Sequence, residues 1–281
     1  MLPFRFPSLS CDTHCHLVGP PELFPFAAAR SGGSEADATK SMLAAMHHQL
    51  GVERAVIVQS GVHGTDTSVT LDAIASNPNR YRGIALVDPS VTNRELERLH
   101  AGGIRGIRIN LLSRSDAPSH PAGLLSLADR VSDLGWHFLL HLRSEQILEL
   151  SDLLRNLRIP LVFDHLGRID PARGWHQPAV KRLLEFLESG SCWVKIAAVD
   201  KLSKEPYPFG DIVAIARMLV DAVPDRAIWG TDWPHPDRSG LRRGVVPNDL
   251  ELAALVPFYA PKAGLQHKLL VENPACLYGF P

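Results

Sequence analysis

Short apolar segments recur along the chain, and a longer amphipathic segment follows each of them. Ala55-Val56-Ile57-Val58-Gln59 sets the type, and residues 83–88, 106–110, 136–141, 160–165, 192–196 and 227–230 repeat it. The segment around Asp12 completes a set of eight. Unbroken runs rich in Val and Ile, without polar alternation, fit strands covered on both faces in a parallel sheet. The segments between them carry helical spacing. Met42, Ala45, Met46 and Leu50 share one face of a helix over 38–50, with Gly51 where a C-cap belongs. Thr65-Asp66 is expected to cap a helix through Ala75, Asn93 one ending near Gly102, and Ser144 one reaching Leu154. Residues 122–134, 178–188, 210–222 and 261–271 continue the pattern, and Asn273-Pro274 opens a closing helix. Strand and helix alternate without a linker or low-complexity tract. The expected fold is therefore α/β, a single (β/α)8 TIM barrel over residues 1–281, with long mouth loops at 19–33, 116–123 and 233–247.

Composition narrows the class without changing that picture. At 281 residues the chain fits one α/β barrel, and a hydrophobic share of 45% supplies a large core. A net charge of −1 provides no basic field, so neither nucleic acid nor an anionic membrane surface is an expected partner. No run reaches the roughly 18 apolar residues of a membrane span, and the N-terminus lacks the pattern of a signal peptide. Cys11, Cys15, Cys192 and Cys276 lie scattered among apolar residues and are read as reduced thiols of a cytoplasmic protein. The sequence carries no signature of an oligomeric state.

The candidate chemistry sits where the strands end. His16, Gln59, Asp88, Arg108 with Asn110, His141, His165, Lys195 and Asp232 close or follow the apolar runs. In such a barrel those ends form the active-site face. Side chains alternate along a strand with a period of two, so His14 and His16 face one way, with Asp12 behind them. By the same parity Cys11, Thr13 and Cys15 point away, which argues against a cysteine–histidine zinc cluster. Arg108 and Asn110 share the interior face, and Arg105 is expected to pack outward. Two imidazoles meeting Asp232 are enough to activate a water or hold an ion. Polar residues also end strands by chance, and a lone His141 or Lys195 is more often a satisfied residue at the barrel mouth than a catalyst. The pair His47-His48 reads as solvated on a helix, and Arg242-Arg243 as surface.

Several ordered motifs carry a resemblance. They are Asp12-Thr13-His14-Cys15-His16, the segment Gly51 to Gln59, His63-Gly64-Thr65-Asp66 and Gly103 to Asn110. Asp164-His165-Leu166-Gly167-Arg168, Gly230-Thr231-Asp232-Trp233-Pro234-His235-Pro236 and Leu269 to Pro274 complete the set. Over nearly its whole length the chain resembles the lactonase-like branch of the amidohydrolase superfamily, which includes 2-pyrone-4,6-dicarboxylate lactonase and muconolactone-type hydrolases. The resemblance implies hydrolysis of a small anionic lactone in the catabolism of aromatic-derived acids. Asp232 would be the general base, with His14, His16 and His165 polarising the carbonyl. Arg168 would bind a substrate carboxylate, and Arg108, Asn110, His141, Lys201, Gln59 and His63 would complete the substrate-facing set.

Two-metal members of the superfamily carry a lysine at the end of the fourth strand. Ile107-Arg108-Ile109-Asn110 has none, which argues against a binuclear site. The branch works with one divalent ion or without any. If an ion binds, His14, His16 and Asp232 are the expected ligands, with His141 or His165 as an addition, and zinc suits that set. The chain departs from the branch at Phe26 and His63, where tyrosines are common, and at Ala197-Ala198 and Asp200-Lys201, where Ser-Gly and Tyr-Arg are common. These changes favour a differently substituted lactone over the pyrone dicarboxylate. Competing readings on the same scaffold are a metal-dependent decarboxylase of an aromatic or muconate-type acid, a sugar-lactone isomerase, and a ligand-binding barrel without chemistry.

Overall fold

The apolar runs form the strands that their composition predicts. The computed structural model describes residues 4–28, 38–88, 90–112, 121–235 and 246–281. Eight parallel strands pair in chain order: β1 (Cys11–Cys15), β2 (Arg54–Val58), β3 (Tyr81–Ala85), β4 (Ile104–Asn110), β5 (His137–His141), β6 (Leu161–Phe163), β7 (Cys192–Ile196) and β8 (Ala227–Trp229). Between them run α1 (Lys40–Leu50), α2 (Ser68–Ser76), α3 (Asn93–Ala101), α4 (Pro121–Ser132), α5 (Ser144–Glu149), α6 (Ser151–Asn156), α7 (Pro178–Glu188), α8 (Val199–Leu202) and α9 (Gly210–Ala222). Four short helices close the chain: α10 (Asp249–Ala253), α11 (Val256–Tyr259), α12 (Ala263–His267) and α13 (Asn273–Tyr278). The expected (β/α)8 barrel is the observed fold.

Local differences have local causes. Gly51 caps α1 at φ 81 as expected, but α3 is capped by Thr92, whose side chain accepts from Glu95 N. Asn93 instead accepts from Arg130. The helix predicted over 144–154 breaks at Leu150 into α5 and α6. The helix predicted over 261–271 begins at Ala263 and passes through a wide turn, Lys268–Glu272, into α13. The expected loops at 19–33, 116–123 and 233–247 lie partly outside the described residues, and Arg242 and Arg243 wholly so.

Two apolar layers follow from strand alternation. Ile57, Ile107, Phe138, Leu140, Phe163, Val194 and Trp229 pack under the helices. Cys11, Val56, Val58, Ile84, Leu139, Val162, Trp193 and Ile228 fill the barrel interior with Tyr278 and Phe280. That inner plug leaves the other end of the barrel to polar side chains. Among the described residues, no helix is long and apolar enough to cross a membrane.

Closure between β1 and β8 corrects the expected parity. Asp12 pairs with Ala55 and Cys15 with Ile57, so three residues on β1 span two on β2. This bulge turns Cys11 into the barrel while His14 still faces the interior. Asp12 therefore does not stand behind the histidines; it faces α1, where His47 Nε2 donates to its Oδ2 at 3.0 Å. His47 is fully buried rather than solvated. Asp12 also accepts from His14 N (3.0 Å), Thr231 N (3.0 Å) and Thr231 Oγ1 (2.6 Å). Beyond β8 the chain continues the seam, with Asp232 N donating to His14 O at 2.7 Å and His16 N to Trp233 O at 2.8 Å.

Replacing Asp12 by alanine strands four buried donors. The expected loss is about 3 kcal/mol of stability, measured as a lower urea midpoint with unchanged slope.

Candidate active site

The functional side chains reach the barrel mouth from several strand ends. His14 and His16 come from β1, separated by Cys15, which points outward and donates to Val56 O. Their Nε2 atoms lie 3.2 Å apart. Asp232 follows β8 at φ 63, a left-handed conformation that costs a non-glycine residue about 1 kcal/mol and clusters at functional sites. Its Oδ1 sits 3.4 Å from His14 Nε2, 3.5 Å from His16 Nε2 and 3.9 Å from His165 Nε2. Its Oδ2 accepts from Lys201 Nζ at 2.5 Å.

The segment after β6 is a turn of left-handed helix. His165, Leu166, Gly167 and Arg168 have φ of 48, 54, 62 and 49. Residues three apart eclipse in so tight a turn, so His165 and Arg168 both face the mouth. Gly167 eases the strain, and any Cβ there would also meet Ile147 Cδ1 at 2.9 Å. Arg168 donates toward His141 Nε2 at 3.5 Å, and the His141 and His165 rings meet edge to face at 5.5 Å. Arg108 reaches inward as its parity predicts and approaches Asp164 Oδ2 at 3.5 Å. Arg105 stays at the other end of β4, donating to the carbonyls of Ile104 and His100. Asn110 Oδ1 accepts from Leu112 N at 3.2 Å, shaping the turn after β4.

Two expected substrate contacts are committed elsewhere. Gln59 donates to Gly64 O and Asp66 O and accepts from Leu86 N, which exhausts its amide on loop backbone. His63 accepts from Gly19 N at Nε2 and donates from Nδ1 to Pro25 O, pinning the loop after β1. Both scaffold the wall of the site.

Asp164 was missed as a member of the candidate site, and Lys195, noted at a strand end, was given no role there. Asp164 is fully buried and lies 3.0 Å from His14 Nδ1 and 3.5 Å from both Arg108 Nη2 and His165 Nε2. Lys195, also fully buried, donates to Thr13 O at 2.8 Å and lies 3.3 Å from His14 Nδ1. Parity was the available signal, because each falls two residues beyond an inward-facing position, Val162 and Trp193 respectively.

The charges are arranged around neutral rings. Burial holds His14 well below its ordinary value and His165 at about 4. Burial alone would raise the carboxyls of Asp232 and Asp164, but the groups beside them win. Lys201 and then His165 hold Asp232 well below the usual carboxylate range, and His14 and His165 do the same for Asp164. Burial lowers Lys195 to about 8, so it remains a cation at neutral pH. Arg108, Arg168, Lys195 and Lys201 thus outnumber two carboxylates in a poorly solvated mouth, which favours an anionic ligand.

The donor set accommodates a cation. His16 Nδ1 donates to Val58 O at 2.7 Å, leaving its Nε2 lone pair facing His14. His14 can carry its proton in two ways, and each satisfies only some of its neighbours. In one, Lys195 donates to His14 Nδ1 and His14 Nε2–H donates to His16. In the other the His14 proton sits on Nδ1 against Asp164, and both Nε2 atoms are bare. Tetrahedral zinc bonds of about 2.0–2.1 Å place ligand atoms about 3.3 Å apart. The edges between His14, His16 and Asp232, 3.2, 3.4 and 3.5 Å, match that spacing. His14, Asp164 and His165 form a second possible group, and Asp12, Cys15 and His47 a third on the outer side of β1.

Two predictions follow from packing and charge. A Cβ on Gly230 would meet His14 Cβ at 2.6 Å and His14 N at 2.7 Å, so Gly230→Ala must displace the His14 ring. The expected loss in kcat is about 10²-fold, read by steady-state assay of the folded variant. His165 and His137, at about 4 and about 3, lie below their unfolded value of 6.5. The unfolded chain therefore takes up protons first as pH falls. Their contribution is fully present above 6.5 and is lost as pH falls toward 4, which urea midpoints measured against pH should show.

Comparison with known proteins identifies the family. The amidohydrolase family model matches residues 11–280. The chain is 37% identical over 284 residues to a 2-pyrone-4,6-dicarboxylate hydrolase of Comamonas testosteroni, covering 98% of this chain and 92% of that protein. It is 37% identical over 289 residues to a 4-sulfomuconolactone hydrolase of Hydrogenophaga intermedia, covering 99% and 91%. Among solved structures, a probable 2-pyrone-4,6-dicarboxylic acid hydrolase from Acinetobacter baumannii with citric acid bound superposes with a TM-score of 0.83. It is 26% identical and covers 97% of this chain and 100% of that one. The barrel, the seam that joins Asp232 to the paired histidines and these relatives agree: the chain belongs to the amidohydrolase family.

Proposed function

We propose that the barrel mouth opens a carboxylated lactone ring by attack of water on the ester carbonyl. The observation that carries this reading is the convergence of His14, His16 and His165 on Asp232 Oδ1, all within 3.9 Å, inside a ring of cations. Asp232 takes a proton from the attacking water as its oxygen bonds to the carbonyl carbon. The tetrahedral adduct then collapses, the ring C–O bond breaks, and the leaving oxygen receives the proton back from Asp232. A carboxylate held this low is a weak base, which suits a lactone because an alkoxide departs more readily than an amide nitrogen. His14, His16 and His165 polarise the carbonyl, with His14 and His165 held neutral by burial. Asp164 and Lys195 orient His14 from beneath, and they are assigned here as positioning residues.

Arg108 and Arg168 are assigned the substrate carboxylates, because a guanidinium meets a carboxylate through two parallel hydrogen bonds. His141, Asn110 and Lys201 complete the substrate wall. The relatives' names, and the citric acid in one neighbour, support a polyanionic ligand. A single divalent ion, with zinc the best match, would be held by His14, His16 and Asp232. When bound it would supply Lewis acidity and a more acidic water.

Hydrolysis of a panel of carboxylated lactones, with and without prior chelation, tests the reading. Ring opening is expected, with Asp232→Asn slower by about 10²- to 10⁴-fold. Activity that survives chelation places the polarisation on the histidines, and activity restored by zinc makes them ligands. Carbon dioxide released from an aromatic acid, with no lactone opened, would overturn the hydrolase.

A further inference from the structure

Asp232 divides its two oxygens between different neighbours. Oδ1 faces His14 and His16, while Oδ2 is capped by Lys201 Nζ at 2.5 Å. The two partners differ in surroundings. The Asp232 side chain is 2% exposed, whereas that of Lys201 is 14% exposed. Lys201 sits on the single turn of α8 and also lines a cavity beside the mouth with Arg168, Arg143 and Lys204, and with the acids Glu145 and Asp170. Among the described residues Asp232 is the close carboxylate partner of the ammonium, with Asp200 a further charge nearby and the cavity toward Arg168 on its other side.

We propose that Lys201 is a specificity-determining counter-ion, masking Asp232 until an anionic substrate draws the ammonium away. This rests on the lactonase reading above. A carboxylate oxygen already accepting from an ammonium at this distance is a poor acceptor for a water proton. An ammonium on a four-carbon stem has rotatable donors and exchanges partners readily, unlike a guanidinium fixed in a fork. A substrate carboxylate gripped by Arg168 stands beside the cavity that Lys201 also lines. Moving Lys201 from Asp232 to that anion replaces one ion pair by another and frees the base. A neutral lactone offers no such exchange, so the base stays capped. Selection for anionic substrates then acts on the chemical step as well as on binding.

The test compares a carboxylated lactone turned over by the wild type with the neutral lactone dihydrocoumarin, using wild type, Lys201→Met and Lys201→Gln. Circular dichroism melts establish which variants are folded. If Lys201 masks the base, kcat/KM on dihydrocoumarin rises about tenfold in the variants, as expected for release of one close charge pair. On the carboxylated lactone KM rises in the same variants. Added acetate should also stimulate wild-type hydrolysis of dihydrocoumarin while leaving the variants unaffected. A simple substrate-binding lysine predicts the KM effect alone, so folded variants with an unchanged or lower neutral-lactone rate overturn the proposal. A wild type that opens no lactone removes the hydrolase reading and this inference with it.

Discussion

Closing the barrel is the step on which the site depends. Strand β8 ends at Trp229, and Asp232 and Trp233 then hydrogen-bond to the backbone of His14 and His16 instead of leaving the sheet. Asp12 holds that seam by accepting from residues 219 positions apart in sequence and from α1. A buried carboxylate with all its acceptor sites engaged tolerates little movement, because each lost bond strands a donor away from water. The same hydrogen bonds that close the sheet set Asp232 against His14 and His16. Barrel stability and catalytic geometry therefore share one set of contacts.

The site also solves an electrostatic problem. Asp232 and Asp164 lie in a space where burial penalises charge; Lys201 and then His165 keep the first ionised, and His14, His165 and Lys195 the second. His14 and His165 stay neutral because burial penalises their charged forms, which leaves lone pairs and N–H groups available. An excess of cations over anions would be costly if sealed off, and it is relieved when an anionic ligand enters.

Much of the site was legible one residue at a time. Strand parity placed Arg108 inward and Cys15 outward, and the left-handed demands of Gly167 fit the turn that carries His165 and Arg168. Parity failed at Asp12 and Cys11, because a bulge shifts the register by one residue and nothing in Asp12-Thr13-His14 announces it. Gln59 and His63 looked available because their residue types bind ligands. Their hydrogen bonds go to backbone groups of loops that no periodic pattern describes. His47 looked solvated beside His48, yet it meets the buried carboxylate of Asp12.

The sequence by itself determined the alternation of buried strands and amphipathic helices, and with it the barrel and the face on which polar strand ends gather. Those properties are local, since periodicity and capping are set by residues a few positions apart. Tertiary structure decided which polar groups meet and which are already satisfied. That Lys201 caps Asp232, that Asp164 and Lys195 flank His14, and that Asp12 staples the seam all depend on distances between residues far apart in the chain. Such pairings follow from barrel closure and side-chain packing, where a one-residue shift in register reverses what a side chain faces.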